Sequence, residues 1–284
     1  MTRRPGTGQP AVPETSLFLS NLHRVLGRDI TNYVRVAELA ERTGFAQIIV
    51  PDHVVMGSAI DRYPYGHTQF LADDPWPEPL TLLAAIAART ERIRIGTGVL
   101  LAPLRPAPFL AKQVATLDVL SQGRVDFGIG VGWQREEYEA CGIEFQSRWA
   151  TLDKIARSCR RLWEGSDGTN WCYPTPVQER VPIWLGARPT QRLVDRIMEY
   201  GDGWMPLTSA PPGEVVDGCC ALRSAFAAAG RDPSTLLVRC GWPGDPDTAS
   251  QLWAAGATHF SFRLPDEPMS MVFIQTILER RVSP

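Results

Sequence analysis

The chain has 284 residues, 44% hydrophobic and 21% charged, with a formal net charge of −2. That balance supplies a large core and argues against nucleic acid or an anionic membrane surface as the main partner. No apolar run approaches the length of a membrane span, so no membrane partner is expected either.

Arg3 and Arg4 open a stretch with no apolar core of a signal peptide, so residues 1–15 read as the disordered tail of a cytoplasmic protein. Residues 16–20 form the first strand, and 31–43 the first helix, stopped by Gly44. Residues 46–51 (AQIIVP) are continuously apolar, the mark of a strand buried on both faces, and Asp52 and His53 follow directly. Residues 54–78 lack periodicity and are rich in Pro, Tyr, Gly and Asp, which predicts a long loop excursion. A helix at 79–90, a third strand at 93–101 and a helix at 106–120 with proline near its start come next.

The stretch LSQGRVDFGIGVGW (120–133) holds the fourth strand at 125–129. Gly123 caps the preceding helix, and Gly128, Gly130 and Gly132 remove side chains where a flat ligand or another backbone must approach. Helix 148–163 places Leu152, Ile155, Ala156, Cys159 and Leu162 on one face. Strands at 181–185, 203–207, 236–240 and 258–264 then alternate with helices at 190–200, 212–229 and 247–255, and 268–280 closes the chain. Eight strands alternating with eight helices and no linker predict one α/β domain, a (β/α)8 TIM barrel over 16–284, with an extended loop after strand two.

In a barrel the strand C-termini carry the chemistry. Those positions include Asn21, Asp52, His53, Gly98, Val99, Leu101, Gly132, Trp133, Gln134, Gly186, Ala187 and Arg188. His53 is the acid–base candidate because imidazole titrates near neutrality. Asp52 could orient it or meet a ligand; a helix cap with a structural hydrogen bond fits the same pair. Too few histidines and carboxylates converge on strand ends for a metal centre, and the six cysteines read as reduced thiols without metal-type spacing. Lys112 and Lys154 fall on helices, which disfavours Schiff-base chemistry. Arg89, Arg92 and Arg94, like Arg157, Arg160 and Arg161, read as solvated helix faces. In Gly186-Ala187-Arg188-Pro189-Thr190, small residues lead straight into a helix start, where free N–H groups and the dipole favour phosphate. Arg188 could add charge-assisted contacts, and a plain turn capped by Thr190 fits equally.

Segments 44–55 (GFAQIIVPDHVV), 74–145, 181–187 (VPIWLGA) and 200–207 (YGDGWMPL) together resemble the bacterial luciferase-like family, nearest its coenzyme F420-dependent branch. The resemblance implies a barrel with the cofactor at the strand C-termini, Asp52 and His53 beside it, and His53 as proton donor. It implies a non-prolyl cis peptide at Gly98-Val99 behind the deazaflavin ring. The loop from Gly132, Trp133 and Gln134 to Tyr138 would flank the ring and ribityl chain, and Gly186, Ala187 and Thr190 would form the phosphate turn. Arg135 stands where sugar-phosphate dehydrogenase members carry a glutamate, which leaves the substrate open. Val131 stands where luciferases place an arginine on the FMN phosphate, which favours F420 over FMN.

The expected activity is hydride transfer between F420 and a small organic substrate, in a pocket walled by Tyr63, Tyr65, His67 and Trp76. An FMN-dependent monooxygenase and a non-catalytic flavin-binding protein are the alternatives. A homodimer is expected through helices near strands two to four, with Leu82, Leu83, Ile86, Phe109, Leu110 and Val114 as its apolar surface.

Overall fold

The computed structural model describes residues 12–20, 22–64 and 71–282. Short, largely buried runs form its strands: β1 (Glu14–Phe18), β2 (Gln47–Val50), β3 (Arg94–Thr97), β4 (Leu100–Leu101), β5 (Val125–Gly130), β6 (Ile183–Gly186), β7 (Gly203–Met205), β8 (Leu237–Gly241) and β9 (His259–Phe262). Each pairs in parallel with its neighbours, and β1 pairs with both β2 and β9, so the sheet closes on itself. β3 and β4 both pair with β5 and make one stave, interrupted at the cis Gly98-Val99 peptide. Nine segments therefore form eight staves, and the expected barrel is what the chain builds. Strand one begins two residues earlier than expected, inside the 1–15 segment read as a tail; residues 1–11 of that tail lie outside the described residues.

The helices are α1 (Leu22–Leu26), α2 (Thr31–Arg42), α3 (Pro79–Ala87), α4 (Ala107–Leu120), α5 (Arg135–Ala140), α6 (Arg148–Trp163), α7 (Gln191–Glu199), α8 (Pro212–Ala228), α9 (Pro246–Ala255) and α10 (Met271–Val282). α6 matches its expected span to the residue, because five apolar residues at helical spacing all reach the core. α1 and α5 escape the sequence reading, being too short to show a period. None of the described helices is long and apolar enough to cross a membrane.

Two sequence expectations are corrected by packing. Arg94 is not a solvated residue: its Nε and Nη2 each lie 2.8 Å from a carboxylate oxygen of Asp126, buried inside β5. Arg160 likewise turns inward, donating to the carbonyls of Val181 and Tyr200 and to Asp202. Helical or strand position alone does not reveal an acid waiting across the barrel.

The expected dimer surface is also mostly unavailable. Leu82, Leu83, Ile86, Leu110 and Val114 are buried in this chain's own core, and of that set only Phe109 is exposed. Apolar residues on barrel helices are claimed first by the sheet beneath them.

Candidate active site

The C-terminal ends of the strands open into one cavity of about 750 Å³. Its wall draws on every stave: Phe18, Ile49, Gly98, Val131, Gly186, Met205, Arg239 and Phe262 among others. This size and mixed lining suit a drug-sized organic ligand.

Of the expected site residues, Asp52, His53, Gly98, Val99, Leu101, Gly132, Trp133, Gly186, Ala187, Arg188 and Thr190 all line this cavity. The long loop contributes Tyr63 and Trp76 to the same wall, while Tyr65, His67 and, at the end of strand one, Asn21 lie outside the described residues. Gln134 and Tyr138 sit behind the wall. The Gln134 amide accepts from the Gly57 N–H at 2.8 Å and donates to the Gly57 carbonyl at 3.2 Å, tying the long loop to the start of α5. Tyr138 is fully buried and donates to the Val131 carbonyl at 2.5 Å. Both hold the shape of the site rather than face its contents.

His53 follows β2 at the cavity edge, with its side chain only 9% exposed. Its ring meets Trp76 edge-on at 4.7 Å and Trp133 at 6.4 Å, and Trp133 meets Tyr63 at 5.3 Å. The partner of the imidazole is Glu137, not Asp52: Glu137 Oε2 lies 3.1 Å from His53 Nδ1, and Oε1 accepts from the Val54 N–H at 2.5 Å. Glu137 is fully buried on α5. Glu137 has no role in the sequence analysis. Its pairing spans 84 residues, and α5 is too short to show which face turns inward.

Asp52 does different work. Its carboxylate accepts from the Leu101 N–H at 2.9 Å and from Arg105 at 2.6 and 3.1 Å, fastening the end of β2 to the broken stave. That stave presents Val99 to the cavity. Gly130 and Gly186 make room for it, since a Cβ on either would come within 2.5–2.6 Å of the Val99 methyls.

Across the cavity, Thr190 caps α7 by accepting from the Leu193 N–H, and Trp204 donates to the Ala187 carbonyl at 2.8 Å. Both fix the turn from β6 into α7, whose helix start carries partial positive charge. Arg188 is mostly exposed, 3.7 Å from Glu214, and Arg192 joins it on the cavity wall.

The sequence profile of the luciferase-like monooxygenase family matches residues 9–244. The uncharacterized protein Rv0953c of Mycobacterium tuberculosis is 32% identical over 245 residues, covering 81% of this chain and 86% of that protein. An F420-dependent glucose-6-phosphate dehydrogenase of Microbacterium testaceum is 32% identical over 240 residues, covering 76% of this chain and 66% of the dehydrogenase. Among solved structures, the monooxygenase RslO1 from Streptomyces bottropensis superimposes with a TM-score of 0.73 at 20% identity, over 94% of this chain and 96% of its own. That last likeness is one of fold.

Proposed function

The chain belongs to the luciferase-like monooxygenase family, and from that premise we propose that it is an F420-dependent oxidoreductase acting on a small organic substrate. The observation that carries the reading is the His53–Glu137 pair at the mouth of a cavity large enough for a tricyclic ring and a substrate. The dehydrogenase relative supports F420, as does Val131 at the position where luciferases bind FMN phosphate through arginine.

The residues present fit such a group. The Val99 bulge, Gly132 and Trp133 offer a flat wall, and the Trp133 indole nitrogen is buried with no hydrogen-bond partner among the described residues. Gly186, Ala187, Arg188 and Thr190 would hold a phosphate at the helix start. Asp52 and Leu101 keep the bulge in place behind the ring. When bound, the deazaflavin supplies a carbon that gives or takes hydride, chemistry that belongs to the cofactor. The protein supplies position, exclusion of water and a proton site.

That proton site is His53 Nε2. Glu137 accepts from Nδ1–H, which orients the ring so that Nε2 can exchange a proton with the substrate atom beside the hydride centre. Trp76 and Trp133 confine the ring on its flanks.

Titrating the protein separately with F420 and FMN, by fluorescence quenching, tests the cofactor. F420 is expected to bind more tightly. Equal or tighter FMN binding, with oxygen consumed on substrate addition, would reassign the protein as a flavin monooxygenase.

A further inference from the structure

Deep in the barrel, β8 carries an arginine that the proposed proton transfer does not use. Arg239 is 4% exposed and lines the cavity. Its guanidinium lies over the Trp184 ring at 4.1 Å, and Nη1 contacts the Met205 sulfur at 3.0 Å. Those two contacts fix the plane and one corner of the group. Nε and Nη2 are buried with no hydrogen-bond partner among the described residues. Asp126, the acid that acts on Arg239 through space, is already gripped by Arg94.

Nε and Nη2 form the side edge of the guanidinium, whose two parallel N–H groups match the two oxygens of a carboxylate. Among the described residues, the same edge is used that way three times. Arg94 grips Asp126 at 2.8 and 2.8 Å, Arg157 grips Glu199 at 2.5 and 2.8 Å, and Arg196 grips Asp153 at 2.6 and 3.2 Å. In Arg239 alone of these four does the edge meet no acid, and it is the one buried on the cavity wall.

A second orphan lies beside it. Ser261 on β9 also lines the cavity, and its hydroxyl oxygen is buried without a hydrogen-bond partner among the described residues. In the parallel register Arg239 stands opposite His259 and Gly241 opposite Ser261. Arg239 and Ser261 therefore share the inner face of two neighbouring strands, one layer apart.

We infer that Arg239, assisted by Ser261, is the recognition point for a carboxylate on the substrate, so that the enzyme acts on an organic acid. This rests on reading the cavity as the active site and narrows its substrate class. Burial pushes the Arg239 pKa down to about 10, so it stays cationic at neutral pH. A buried cation with two unused donors costs stability, and such a cost persists where a ligand needs it. The lining around it (Phe18, Ile49, Met205, Phe262) suits an apolar body behind the acid group.

Isothermal titration with butyrate and benzoate, against butyramide and benzamide as neutral isosteres, tests the inference without turnover. Wild type is expected to bind each acid at least about tenfold more tightly than its amide, the scale of a hydrogen-bonded charge. Arg239→Met should erase that preference and keep or raise the melting temperature, because it removes an unpaired buried charge. Ser261→Ala should weaken acid binding about threefold to tenfold. If Arg239→Met misfolds, Arg239→Lys, which keeps the charge and loses the fork, should still weaken acid binding. Equal binding of acid and amide by wild type, or undiminished acid preference in Arg239→Met, overturns the inference. So does loss of F420 binding in Arg239→Met with acid binding intact, which would assign the edge to the cofactor ring. Acid binding by a wild type that binds neither F420 nor FMN would sink the proposed function and leave the carboxylate site standing.

Discussion

At the scale of single residues, the site divides into groups that face its contents and groups that hold those groups still. His53 belongs to the first kind, and Glu137, Asp52 and Gln134 to the second. His53→Asn should leave cofactor affinity close to wild type and lower turnover by roughly 10²–10⁴-fold, the worth of a positioned acid–base group. Stopped-flow hydride transfer beside a cofactor titration checks both halves. Normal turnover with collapsed affinity would make His53 a binding residue. Glu137→Ala removes the acceptor of both His53 and the Val54 N–H. It should cost about 2–3 kcal/mol of stability and lower turnover as well, because the imidazole loses its orientation. A turnover loss as large as that of His53→Asn, with the fold intact, would mean that His53 works only when Glu137 aligns it.

At the scale of elements, the broken third stave is the part on which the site hangs, and β5 is packed against it without spare room. A Cβ on Gly128 would meet the Thr97 carbonyl oxygen at 1.9 Å, a backbone atom that cannot swing aside. Gly128→Ala should therefore cost about 3 kcal/mol or more, while Gly213→Ala on α8, where nothing lies within 4 Å, should be close to neutral or slightly stabilising. Urea denaturation of the two variants makes the comparison. The same two staves share the Arg94–Asp126 pair. Burial raises the Asp126 carboxyl, but Arg94 more than offsets this and holds it below the usual carboxylate range. A depressed folded-state pKa gives stability that is present above the unfolded value of about 3.9 and lost as pH falls through the folded one. Arg94→Met should cost about 3–5 kcal/mol at pH 7 by leaving a buried carboxylate unpaired. Part of the acid lability below about pH 4 should vanish with it, because Asp126 would then fold in its neutral form.

At the scale of the whole molecule, the barrel brings residues from all eight staves to one cavity. A homodimer nonetheless remains the expectation from the family resemblance, with Phe109, Val119 and Leu120 exposed on α4 in the region concerned. Light scattering at micromolar concentration should read about twice the 31.4 kDa of one chain. A mass of one chain would remove the expectation, and a dimer unaffected by Phe109→Glu would place the interface elsewhere.

Much of this architecture is local in origin, and so was legible in the sequence. The strand pattern of AQIIVP, the helical period of 148–163, the glycines of 128–132 and the small residues leading into α7 each follow from a dozen neighbours or fewer. Periodicity and turn chemistry therefore determined the barrel, and the ends of its strands marked most of the cavity wall, including His53 and the Gly186–Thr190 turn. What joins residues far apart in sequence was decided only by the closed sheet. Glu137 meets His53 across 84 residues, Asp52 turns to Arg105 rather than to its neighbour His53, and Arg94 finds Asp126 instead of solvent. A charged side chain in a sequence carries no mark of what will stand opposite it. Only when the eight staves close do the acids and bases acquire partners, and only then does Arg239 stand out by an edge that, among the described residues, meets no acid.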